Sequence, residues 1–160
     1  ATPGAAQWIQ LLNTLPSEEA EPSRAGRLTV TRATPRHTDR YGIASWVYRG
    51  RIPFSLPKLE AWLAEAKPGL LRAKGFFWVK ERPDEMGFLS VAGGVARLDF
   101  PSYWWAAMVE NGHAARKDVP PVVEKIWSGP AGDRRQELVF IGVDLDERAL
   151  AESLERCLQK

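Results

Sequence analysis

A chain of 160 residues with 44% hydrophobic side chains suits one domain with a packed core, and a formal charge of +2 is too mild to argue for a nucleic-acid partner. No apolar run approaches the roughly 20 residues of a membrane span, and no charged-then-apolar signal peptide opens the chain, so no membrane partner is expected. The single cysteine, Cys157, excludes an intramolecular disulfide framework and fits a reducing, cytoplasmic setting.

Residues 1–36 differ from the rest in composition. Trp8, Ile9, Leu11 and Leu12 are spaced for one short helical turn that docks elsewhere, and LPSEEAEPSRAGR then reads as linker. Arg24, Arg27, Arg32, Arg36 and Arg40 form an even ladder. Such a ladder suits acidic groups or phosphates. Solvated linker is the plainer reading, because exposed charge pairs contribute little. Leu28 to Thr31 is a candidate short strand and Tyr41 to Arg49 a better one, ended by Arg51-Ile52-Pro53. A helix starts near Ser55-Leu56-Pro57, where proline suits the first turn. Leu59, Trp62, Leu63 and Ala66 give it an apolar face, and Lys67-Pro68-Gly69 stops it.

Leu70 to Lys80 reads as a long strand with Gly75 as a candidate bulge. The turn RPDEMG returns the chain into Phe88 to Ala92, a hairpin, and Val95 to Phe100 follows Gly93-Gly94 as a fourth strand. Pro101 to Glu124 carries no clear period. Leu138 to Val143 is a short, continuous apolar strand, after which Leu150, Leu154, Cys157 and Leu158 share one face of a last helix. Asp144 and Glu147 are spaced as a capping box before it. The order predicts an α+β fold: a mostly antiparallel sheet of four to five strands with helices packed on one face.

Four residues stand out as candidate partner contacts: Arg134, Arg135 and Gln136, in the polar run Asp133 to Glu137, and Trp104. Arginines can clamp carboxylates or phosphates at two points. The plainer alternative is a hairpin entry whose charges pair with each other and with neighbouring strands. Trp104 and Trp105 cannot share a face if extended, so either one caps a groove or both pack, one of them under the Glu110–Pro121 loop. His37, Asp39 and His113 are weak candidate metal ligands, since zinc needs three or four converging side chains. Cys157 on an apolar helix face reads as a small core hydrophobe. No Ser/His/Asp or Cys/His set stands out, so the chain alone is not expected to be an enzyme.

GDRRQELVFIG resembles the C-terminal domain of CobW-type GTPases, the family of metal chaperones and cobalamin-synthesis proteins. YGIASWVYRGRIPF, LLRAKGFFWVKERPD, SYWWAA and the final SLERCLQK resemble further segments of that family domain in order. The resemblance covers residues 37–160 and leaves 1–36 as linker and tail of a preceding GTPase region. It implies a non-catalytic domain of a GTP-dependent metallochaperone, in contact with its own GTPase domain and a client metalloprotein. GTP with magnesium, and zinc or cobalt, would then belong to the parent protein, with no cofactor in this chain. The GxxxxGK[ST] phosphate loop of the GTPase half is absent from the sequence, as are the histidine-rich stretches of some members. A stand-alone zinc- or cobalt-binding module is the alternative.

Overall fold

Trp46, Val47 and Tyr48 are buried in succession within Ile43–Gly50, and Gln136–Val143 alternates buried and half-buried side chains; both segments are strands, β1 and β5. Between them lie β2 (Leu70–Phe77), β3 (Glu85–Ala92) and β4 (Val95–Tyr103). The computed structural model describes residues 42–159, and within them the helices are α1 (Leu56–Ala64), α2 (Trp105–Glu110), α3 (Pro121–Glu124) and α4 (Glu147–Glu155). The proposed strand Leu28 to Thr31, the Trp8–Leu12 turn, the arginine ladder, His37 and Asp39 lie outside the described residues.

The five strands form one antiparallel sheet in the order β1-β5-β2-β3-β4, the predicted α+β class. β5 pairs antiparallel with both β1 and β2, so those two run parallel with the last strand inserted between them. The strand that follows GDRR in sequence therefore sits inside the sheet, and its pairings with β1 and β2 are both of long sequence separation.

Alternation sorts the side chains onto two faces. On one, Trp46, Tyr48, Ala73, Phe77, Leu89, Leu138 and Phe140 meet Leu59 and Trp62 of α1 and Leu150, Ala151 and Leu154 of α4. Trp46 stacks on Phe140 with ring centroids 5.3 Å apart. Trp62 Nε1 donates to Ser153 Oγ at 2.8 Å, tying the two helices together. The tail after α4 folds back: Ser55 N donates to Cys157 O and Gln159 N to Pro53 O, each at 2.8 Å. A smaller cluster on the other face joins Phe76 to Trp104 and Ala107.

Several local expectations change. The bulge lies between Leu70 and Arg72, not at Gly75. Gly75 serves a closer approach: a Cβ there would sit 1.9 Å from the Glu137 carbonyl oxygen. The α4 cap is Asp146, whose Oδ1 accepts from Ala149 N at 2.9 Å, while Asp144 takes a left-handed turn at φ 49°. Gly93 and Gly94, both at positive φ, make the two-residue β3–β4 turn. β4 runs on to Tyr103 because Pro101 sits on an edge strand, where a missing amide is tolerated. Trp105 begins a helix instead of extending a strand.

Candidate functional site

The GDRR turn is an internal fastening. Gly132 sits at φ 64° with its α-carbon against Ala106 and Trp127, which leaves no room for a side chain. This close approach puts the Asp133 carboxylate over the start of α2, where it accepts from Trp105 N at 3.0 Å and Ala106 N at 2.9 Å. Those amides have no partner inside the helix, so a carboxylate from another segment satisfies them. Arg134 reaches the other end of the same helix. Its guanidinium meets Glu110 at two points, 2.9 and 2.7 Å, and Nε donates to Pro83 O at 2.9 Å. The Arg134 hydrogen bond holds the Glu110 carboxyl below its usual range, against a smaller opposing effect of burial.

Residues far away in sequence complete the fastening. Arg51 donates to the carbonyls of Gly132, Arg134 and Ile126, so a guanidinium from the end of β1 gathers the turn's backbone. Gln136 Nε2 donates to the Ile52 carbonyl. Arg135 Nε donates to Glu137 at 3.0 Å, and Glu137 also faces Arg49 across the β1–β5 pairing at 3.6 Å.

The structure therefore corrects the placement of three of the four candidate contacts. Arg134 is 6% exposed, Gln136 1% and Trp104 0%, so none of them presents an open surface. Each is buried because its polar groups or ring hold α2 and the strand ends together, which is the plainer alternative for the charged run. Arg135 is half-buried and engaged with Glu137. Trp104 packs against the sheet while Trp105 is half-buried.

His113 lies on an exposed loop after α2, and no three His, Cys, Asp or Glu side chains converge to hold a metal among the described residues. Cys157 is 4% exposed, and burial pushes its thiol up, away from the reactive thiolate. No helix among the described residues is long and apolar enough to cross a membrane.

On the sheet face away from α1 and α4, Phe76 and Phe88 pack against Trp104 and Ala107 and Val47 is buried, while the rest is more open. Register places three rows on it. Val47, Val139, Lys74, Ser90 and Arg97 lie across from one another, then Ser45, Ile141, Arg72, Ala92 and Val95, then Ile43 and Val143. Arg72, Arg97 and Val95 are exposed and Lys74 half-buried. The next row on the same face is Arg49, Glu137, Phe76, Phe88 and Asp99, so the face carries charges of both signs. The alternation Arg72, Lys74, Phe76 against Ala73, Gly75, Phe77 carries this signal in the sequence, but it is visible only once β2 is known to be central.

Residues 43–158 match the family of the cobalamin synthesis protein CobW C-terminal domain. Zinc-regulated GTPase metalloprotein activator 1 of Dictyostelium discoideum is 37% identical over 125 residues, covering 76% of this chain and 26% of that protein. A zinc chaperone of Mycobacterium tuberculosis is 27% identical over 113 residues, covering 69% of this chain and 28% of its own length. The chain thus spans about a quarter of the curated relatives it matches. The zinc-bound YjiA GTPase of E. coli shares the fold, with a TM-score of 0.50 at 18% identity over 83% of this chain and 37% of that one. A zinc-bound triple mutant of YjiA gives a TM-score of 0.52 at 17% identity over 82% of this chain and 37% of that one.

Proposed function

The chain belongs to the CobW C-terminal domain family, and from that premise we propose that it is the non-catalytic accessory domain of a GTP-dependent metallochaperone. In this reading GTP hydrolysis and metal handling reside in the GTPase half, and zinc is cargo. The described residues offer no converging ligand set for it. The accessory domain contacts the GTPase half and a client apoprotein, and nucleotide state alters how the two halves sit. The observation that carries this reading is the family match over residues 43–158, where the fold spends its charged residues on internal fastening.

What remains for contact is the open sheet face, a rigid surface built on five paired strands. Rigid elements hold a docking surface more precisely than loops do. The test is titration of the chain with the separately produced GTPase half of its parent protein, loaded with GDP or with a non-hydrolysable GTP analogue. A dissociation constant that differs between the two nucleotide states is the expected result. Equal, negligible binding in both states overturns the accessory-domain reading.

A further inference from the structure

Among the described residues β4 is an edge strand, with β3 on one side and no strand on the other. The two-residue turn at Gly93-Gly94 fixes which of its backbone groups are free. Residues flanking such a turn bond to each other, so Val95, Arg97 and Asp99 turn their amides and carbonyls toward Ala92, Ser90 and Phe88. Ala96, Leu98 and Phe100 then turn theirs outward, away from the sheet. The Phe100 ring meets Phe77 edge to face at 5.7 Å and lies under the Arg82 guanidinium at 3.7 Å, so the free edge is held in place. An open, fixed strand edge is a template for another strand. We infer that β4 pairs antiparallel with β4 of a second copy of this chain, with Leu98 on the two-fold axis.

The strand's own charges select that partner and that register. Arg97 and Asp99 are exposed, share the face away from α1 and α4, and have no ion-pair partner among the described residues. With Leu98 opposite Leu98, Arg97 of each copy lies opposite Asp99 of the other. These are the unbonded pairs, in which side chains come closest, with α-carbons about 4.5 Å apart. Ala96 then faces Phe100, small against large, and Val95, which is 58% exposed, faces Pro101. Val95 turns its amide inward, so that outermost pair asks no bond of the proline. A slip of one residue sets outward-turned groups against inward-turned ones. A slip of two places Arg97 on Arg97 or Asp99 on Asp99, and like charges directly opposite are destabilising. β1, the other edge, has no such self-complement, since its one charged residue is Arg49. The pairing joins two sheets edge to edge and sets the same face of both copies on one side.

The experiment is sedimentation equilibrium of the full 160-residue chain, with amide exchange read by NMR. The expected result is a mass that rises from one copy toward two between about 10 μM and about 1 mM, since one strand edge buries little area. Over the same range the amides of Ala96, Leu98 and Phe100 should become better protected from exchange. Arg97→Asp and Asp99→Arg each set like charges opposite one another in both pairs, and each should weaken association about tenfold. Mixed together, the two variants regain both attractions, so the mixture should dimerise at concentrations where neither does so alone. Ala96→Pro removes an outward amide that the single chain does not use. It should also weaken the dimer while leaving the circular dichroism of the fold unchanged. A chain that stays single at the top of the concentration range overturns the proposal. So does a dimer that leaves the Ala96, Leu98 and Phe100 amides unprotected, or one that both charge variants form as readily as the parent.

Discussion

Arg134 and Glu110 form a two-point ion pair in which one partner is buried and the other open: the arginine side chain is 7% exposed and the glutamate 52%. The asymmetry sets what each substitution does. Losing Arg134 removes the pair, the bond to the Pro83 carbonyl and a buried stem at once, and leaves that carbonyl without its donor. Arg134→Ala should therefore destabilise by about 2–4 kcal/mol. Glu110→Ala should cost only about 1 kcal/mol, because its charge is largely solvated and Asp84 at 3.6 Å still faces the guanidinium. Urea unfolding checks the order. An Arg134→Ala cost no larger than that of Glu110→Ala would show that the pair, not the burial, is what matters.

The same pair gives a pH dependence. The folded Glu110 carboxyl titrates below its ordinary 4.5, mainly because Arg134 hydrogen-bonds to the charged form. The unfolded chain then binds the proton first. The stabilisation is present above the ordinary value and fades as pH falls through the folded one. Glu110→Gln should be less stable than the parent at pH 7, and the gap should narrow as pH falls below 4.5 and the parent's carboxyl takes up its proton. Chemical unfolding at a series of pH values checks this, and a gap that does not narrow at any acid pH where the parent still folds would contradict it.

Gly75 is a point of close approach between β2 and β5. Its φ is 154°, and an added Cβ would fall 1.9 Å from the Glu137 carbonyl oxygen and 2.8 Å from the Leu138 α-carbon. Both obstacles are backbone in the sheet centre, so relief requires moving a strand. Gly75→Ala should cost more than about 3 kcal/mol or abolish folding. Gly93→Ala is the matched control. Its φ is 56°, but no atom lies within 4 Å of an added Cβ. Only local strain of about 1 kcal/mol is expected there. Comparable losses at the two positions would mean that backbone conformation, not strand contact, decides.

Periodicity made the core legible. Leu59 and Trp62, Leu150 and Leu154, and the alternation through Phe140 all land where their spacing predicts. Segments whose structure depends on a distant partner were not legible. The charged run Asp133–Glu137 looks like surface because five polar residues in a row usually are. Here Asp133 caps a helix that begins 28 residues earlier, and Arg51 gathers carbonyls from 75 to 83 residues away. Spacing alone also cannot separate Asp144 from Asp146 as a cap, since both precede the helix. The positive φ of Asp144 decides between them. The open face is hidden for the same reason: Arg72 and Lys74 look like scattered charges until β5 is placed beside β2.

At alkaline pH two buried acids should govern stability. Tyr48, 1% exposed and stacked on Phe54 at 6.0 Å, has its hydroxyl pushed well above the ordinary 10.0, chiefly by burial and then by Glu155. Burial likewise pushes Cys157 above 9.0, with Glu65 adding to it. Both groups ionise first in the unfolded chain, so the stability they contribute is complete below the unfolded values and is lost as pH rises from about 9 toward the folded ones. Lys67, lowered by burial, works in the opposite direction, so the informative quantity is a difference between variants. Tyr48→Phe keeps the ring and removes the ionisation. Its stability should fall less steeply than the parent's above pH 10, whatever its offset at pH 7. Parallel curves from pH 9 to 11 would mean that the Tyr48 hydroxyl is not protected from ionising in the folded state.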